Sequence, residues 1–209
     1  MTNNYQVIVS DPPWAFDDGL KKMKKNVKRS AASQYSTLNV RDIEALQVDR
    51  LVDPAGCVLA LWVPSTLLEQ GFKVMHAWGF QLKQTLVWVK TKKPKRDKEG
   101  NVINVDPNDG LAFGMGRLFR QCHEFALIGT AGKSVYPLLE DHSQRSVILA
   151  PNEGHSIKPE ALQDRLELMF PTANKCEMFA RRNRVGWTCL GDAIDGKDIR
   201  QAIQELIVP

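Results

Sequence analysis

The sequence predicts an α/β fold, a mostly parallel twisted sheet with helices on both faces. Three observations carry that prediction. Residues 56–63, "GCVLALWV", form an almost unbroken apolar run, which a strand needs when both of its faces are covered. Short apolar runs of this kind alternate along the chain with helix-length segments carrying apolar residues on one side. The first run, "YQVIV" (residues 5–9), is cut off by "SDPPW", where two prolines cannot donate the hydrogen bonds that would continue a strand.

The elements follow in order. "YQVIV" reads as a buried first strand, and residues 15–36 as a long lysine-rich loop. A helix is predicted over residues 39–52, with Asn39 as cap and Ile43, Leu46 and Leu51 near one face. Residues 56–63 are the second strand. Pro64 then suits a first helical turn and opens a helix over residues 64–79. Residues 80–90 alternate as a strand does. A loop is predicted from Thr91 to about Gln121, with "NVDPNDG" and "GMG" as turn signals. "HEFALIGTAG" and "SVILA" are further short strands. A helix over 158–170 has Pro159 at its start, Leu162, Leu166 and Phe170 in a stripe, and Pro171 as its stop. "NKCEMFA" and "GWTCLG" are strand-like, and "DIRQAIQELI" is a last helix.

With 209 residues, 43% apolar and 25% charged, the chain suits one soluble domain over 1–209. No apolar stretch reaches membrane-spanning length, and the polar start "MTNNYQ" does not read as a signal peptide. Membrane association is not expected, and a cytoplasmic location is. Cys57, Cys122, Cys176 and Cys189 form no CxxC pair, and the four histidines form no ligand pair. Neither a metal nor a disulfide framework is expected. Net charge is +4, concentrated in "KKMKKNVKR" (21–29) and "KTKKPKRDK" (90–98). Such runs are either solvated loops or phosphate-gripping surfaces, which makes Lys21, Lys22, Lys24, Lys25, Lys92 and Lys93 candidates for nucleic-acid contact.

In this fold class ligands bind at the carboxyl ends of the strands, and that is where Asp11, Pro12, Pro13 and Trp14 fall. An ionised Asp11 accepts hydrogen bonds. The proline rings fix the direction of their carbonyls, and Trp14 offers a flat face. Together they suit a planar group bearing an NH2, such as adenine, with one hydrogen to Asp11 and the other to the Pro12 carbonyl. Two acceptors so aimed favour a pyramidal nitrogen whose lone pair can attack a methyl donor.

At these residues the sequence resembles the MT-A70-like N6-adenine methyltransferases, S-adenosylmethionine-dependent enzymes whose signature is DPPW. Other blocks resemble the family in order. They are "QYSTL" (34–38), residues 58–93, "GMGRLFRQCHEFALIGTAGK", "HSIKP" (155–159) and "CEMFARRNRVGWTCLGD" (176–192). The resemblance implies a Rossmann-like class I methyltransferase fold with permuted motif order, a methyl donor, and a nucleic-acid substrate, DNA before RNA. A homodimer or a second subunit is a further expectation. It implies that Asp11, Pro12, Pro13 and Trp14 form the catalytic bend. Tyr35, Trp62, Lys90 and Glu124 would line the adenine pocket, although Trp62, in an apolar strand, fits the core equally. Lys158 would lie between cofactor and substrate. Glu177, Phe179, Arg181, Asn183 and Asp192 would join Asp11 and Lys158 at the cofactor, Glu177 at a ribose hydroxyl pair. His155 reads as structural. Two departures stand out. Only ten residues precede Asp11, where the family carries an acidic and apolar segment against the cofactor's base. Either another segment closes that side, or the cofactor is held less tightly. The family's terminal Gly-Asn is Gly191-Asp192 here, so a contact that used an amide donor has no counterpart.

Overall fold

The structure is a computed structural model that describes residues 4–15, 37–92, 96–100, 110–114, 116, 118–154 and 157–207. Seven strands form one sheet in the order β5-β3-β4-β2-β1-β6-β7. They are β1 (Val7–Ser10), β2 (Cys57–Val63), β3 (Gln81–Thr91), β4 (His123–Ala131), β5 (Val147–Pro151), β6 (Lys175–Met178) and β7 (Trp187–Leu190). β1 pairs in parallel with β2 and β6, β6 with β7, and β3 with β5. β4 is antiparallel to both β2 and β3. Its reversal brings the amino end of β4 to the edge where the other strands finish.

The pleat divides the apolar residues into two cores. On one face Ile8, Leu59, Leu61 and Val63 meet α1 (Val40–Glu44), α2 (Leu68–Ala77) and α5 (Ile199–Ile207). On the other, Val7, Val9, Ala60, Trp62, Trp88 and Ile148 meet Leu162, Leu166 and Phe170, which α3 (Ala161–Met169) and its last turn supply. Every residue of β2 is buried, which accounts for its unbroken apolar run.

The helix expected over 39–52 is interrupted. Asn39 does cap it, its side chain accepting from the Asp42 N–H at 2.9 Å. α1 then stops at Glu44, and a separate 3-10 turn covers Val48–Leu51. On a continuous helix Val48 would point about 140° away from Ile43, with Leu46 about 60° to the other side. The break lets Ile43, Leu46, Val48 and Leu51 all be buried. The helix expected over 158–170 begins at Ala161, which leaves Lys158 in the approach to it. A short α4 (Asp192–Asp195), unforeseen in the sequence, follows β7.

Candidate active site

β1 ends at the bend the sequence singled out. The Trp14 N–H donates to the Pro12 carbonyl at 2.8 Å, closing a three-residue turn around Pro13. The Pro13 carbonyl accepts from the Leu38 N–H at 3.0 Å, and the Ala15 N–H donates to the Leu38 carbonyl at 3.1 Å. The Trp14 indole N–H donates to the Trp62 carbonyl at 2.9 Å. Trp14 borders the cavity over the bend while being only 5% exposed, and its polar edge pins the bend to the end of β2.

Asp11 leaves this bend within reach of Lys158, whose Nζ lies 2.8 and 2.9 Å from the two carboxylate oxygens. The same ammonium is 3.4 Å from Glu124 Oε2, and Glu124 Oε1 is 2.5 Å from Lys90 Nζ. A row of alternating charge, Asp11–Lys158–Glu124–Lys90, thus runs across the strand ends. It forms because β4 is reversed: Glu124 sits opposite Trp88, two residues before Lys90. Two tryptophans underlie the row. Lys90 Nζ is 4.7 Å from the Trp88 ring centre and Lys158 Nζ 5.9 Å from that of Trp62. The two rings meet edge to face at 6.3 Å, an arrangement in which each ring can favour a cation.

Burial pushes the Asp11 carboxyl above the usual carboxylate range, with Lys158 opposing it. Burial works against the charge of Lys158, but Asp11 and Glu124 together hold the ammonium above its ordinary value. Glu124 is also penalised by burial, yet Lys158 and Lys90 hold it below its ordinary value. The directions differ because the desolvation of Asp11, helped by the nearby Glu124 carboxylate, outweighs the pull of Lys158 and Arg181, whereas the opposite charges beside Lys158 and beside Glu124 outweigh theirs.

A cavity of about 550 Å³ opens over the bend, within the range of small-molecule and cofactor sites. Toward β3 and β4 its wall includes Lys90, Glu124, Gln121 and Pro64. Gln121 is held by Ser65 Oγ at 2.9 Å. Toward β6 and β7 the wall includes Phe179, Arg181, Gly191, Asp192, Asp198 and Ile199, and Asp11 and Lys158 lie on it as well. Phe179 has φ 60°, the only positive φ outside glycine among the described residues, so an aromatic residue is held in a sparsely populated conformation at the cavity wall. Gly191 makes this possible, since a Cβ there would lie 2.5 Å from the Ala180 carbonyl oxygen.

Several expected positions fall elsewhere. Trp62 is a core residue, 1% exposed, supporting Lys158 and Trp14 and not lining the cavity. Glu177 turns toward α3 and accepts from Gln163 Nε2 at 3.0 Å; it is not on the cavity wall. Burial raises its carboxyl, with Gln163 and Arg184 opposing. Asn183 is exposed and off the wall. Lys92 is exposed, its backbone N–H bonded to the Gly110 carbonyl at 2.7 Å. Tyr35, Lys21, Lys22, Lys24, Lys25, Lys93 and His155 lie outside the described residues. Sequence reasoning missed Gln121, Asp198 and Ile199. The last two read only as the first residues of the final helix.

Among the described residues, no group of three or more His, Cys, Asp or Glu could hold a metal ion, and no helix is long and apolar enough to cross a membrane.

The sequence matches the MT-A70 family over residues 5–193. It is 28% identical over 196 residues to the Type II methyltransferase M.MunI of Mycoplasma sp, covering 88% of this chain and 75% of that protein. A probable N(6)-adenosine-methyltransferase MT-A70-like of Oryza sativa subsp. japonica is 29% identical over 92% of this chain and 23% of its own length. The Homo sapiens N(6)-adenosine-methyltransferase catalytic subunit METTL3 is 25% identical over 92% of this chain and 28% of its own length. The chain thus spans most of the first relative and about a quarter of the other two. MT-A70 methyltransferases use S-adenosylmethionine as methyl donor. The wall toward β6 and β7 fits such a group, with carboxylates for hydroxyls and cationic charge, Arg181 for a carboxylate, and apolar surface for a base. With a family match over residues 5–193 that includes the bend, the charged row and most of the cavity wall, this chain belongs to the MT-A70 family.

Proposed function

We propose that this protein methylates the N6 amino group of adenine in DNA. The observation that carries the reading is the position of Asp11, at the carboxyl end of a central strand, on a cavity wall, in contact with Lys158. S-adenosylmethionine, when bound, supplies an electrophilic methyl group. Each Asp11 oxygen retains a lone pair beyond its contact with Lys158, so the carboxylate can still accept from the adenine amino group. The Pro12 carbonyl likewise keeps one lone pair beyond its bond to Trp14. Lys158 opposes the burial that raises the Asp11 carboxyl and fixes its plane. The acceptor base belongs toward Lys90 and Glu124, which leaves the β6–β7 side for the methyl donor.

Adenine in a duplex hides its amino group, so the base enters flipped or already unpaired. Lys21, Lys22, Lys24, Lys25, Lys92 and Lys93 are proposed to contact the phosphates around it, with Tyr35 near the base. DNA is favoured over RNA by the nearly collinear match with a type II methyltransferase. The relatives named for N(6)-adenosine are matched over only a small part of their length. Incubation with tritiated S-adenosylmethionine and single-stranded DNA, duplex DNA or RNA tests this. Label in N6-methyladenine of DNA is expected. Label in RNA alone would overturn the substrate, and no label in any nucleic acid would overturn the activity. Asp11→Ala should abolish transfer while nucleic-acid affinity is retained.

A further inference from the structure

We infer that Leu118 and Phe119 form a wedge that enters duplex DNA where the target adenine has left the stack. The inference rests on the reading of the protein as a DNA adenine methyltransferase, and it names the side chains that meet the gap a flipped base leaves behind. Phe119 is 88% exposed, Leu118 93% and Phe113 73%. Large apolar side chains so close in one segment make a patch, unlike the scattered exposed residues that any surface carries. The segment 110–121, "GLAFGMGRLFRQ", contains arginine and no acidic residue. The Arg120 guanidinium lies over the Phe113 ring, 4.5 Å from its centre, so a cation is held beside the apolar tip. Apolar groups to part base pairs, next to cations for phosphate, are the pairing that a DNA-opening surface needs. An aliphatic side chain such as Leu118 has no aromatic face on which a base of a single strand would stack. It does suit insertion between base pairs.

The segment is tied to the acceptor side of the cavity. The Lys90 N–H donates to the Cys122 carbonyl at 2.7 Å, and the Lys90 carbonyl accepts from the Ala112 N–H at 2.7 Å. The Gly114 N–H donates to the Gln121 carbonyl at 3.1 Å. A Cβ on Gly114 would overlap the Gln121 carbonyl oxygen, and one on Gly116 the Phe119 carbonyl oxygen, so the absence of side chains lets these backbones close on each other. Lys90 and Gln121 both lie on the cavity wall. Phe119 precedes Gln121 by two residues, at most about 7 Å of chain. The apolar tip therefore stands beside the half of the cavity assigned to the base. Flipping a base costs its stacking and pairing energy. A phenyl ring and an isobutyl group pushed into the gap offset part of that loss and hold the duplex open.

The test compares one methylation-free DNA, native and heat-denatured, as substrate for the full chain with tritiated S-adenosylmethionine. Denatured DNA has no stack to open, so its rate reports the rest of the enzyme, fold included. Phe119→Ala should lower kcat/KM on native DNA about tenfold while changing it less than about twofold on denatured DNA. Phe119→Leu, still an apolar wedge, should recover most of the loss. Sedimentation of wild type and Phe119→Ala accompanies the assay. An unchanged native-to-denatured ratio in Phe119→Ala overturns the inference while the methylation reading stands, and so does a wild type that labels denatured DNA but not native. If Phe119→Ala converts a dimer to a monomer and lowers both rates alike, the tip joins two copies of the chain and the inference is equally wrong. Label in RNA alone, or in no nucleic acid, removes the inference and the DNA reading together.

Discussion

Asp11 and Lys158 are 147 positions apart in sequence and form one functional unit. Asp11 must be ionised to accept from an amino group, and burial raises its pKa while Lys158 opposes. The acid limb of methyl transfer should therefore lie above the ordinary aspartate range. Lys158→Met removes the opposing cation and should move that limb upward by about one pH unit or more, read as kcat/KM against pH. A limb that stays in place would show that Lys158 does not govern Asp11. Stability follows its own signs. Glu124 is depressed, so its contribution is present above its unfolded value and lost as pH falls through the folded one. Lys158 is raised, so its contribution is present below its unfolded value and lost as pH rises through the folded one. Asp11 acts against Glu124, favouring the fold at low pH and losing that effect as pH rises through its raised value.

The elements that matter most are the turns that leave the strands. The turn after β6 holds Phe179 at φ 60° against Gly191, and the Ala180 N–H is bonded to the Leu190 carbonyl at 2.8 Å. Gly191→Ala would place a Cβ 2.5 Å from one backbone oxygen and 3.0 Å from the Ala180 nitrogen. Relieving that contact must shift the turn, at a cost of roughly 1–3 kcal/mol. Urea denaturation should show the loss. S-adenosylhomocysteine binding should weaken in the same variant, while nucleic-acid binding is retained. Unchanged cofactor affinity would mean that the Phe179 turn does not shape the donor side. Arg184 braces this region against α3, bonding Glu160 at 2.8 Å, Asp164 at 2.5 Å and Glu167 at 2.6 Å. The Trp187 indole N–H reaches the same Glu167.

At the scale of the molecule, the cavity collects side chains from both halves of the chain onto one edge of one sheet. A ligand that spans it binds the folded state alone. S-adenosylhomocysteine at a hundred times its Kd should stabilise the protein by about 2.7 kcal/mol, which at this size raises Tm by roughly 5–10 °C. A thermal scan with and without it is the check. No rise at a saturating concentration would mean that the cavity does not take this nucleoside.

The amino-acid sequence determined where the strands and most of the helices lie, because burial on one or two faces writes a period into the chain, and it located the bend, because two prolines after a strand end its ladder wherever they occur. It also carried Lys158, Phe179 and Asp192 to the cavity through their motif. Only the tertiary structure decided that Trp62 is core, that Glu177 faces α3, and that Asp198 and Ile199 reach the cavity wall. Those outcomes depend on which strand lies beside which and on one reversed strand, β4. Pairing order and direction are set by the packing of distant segments, and no local period records them.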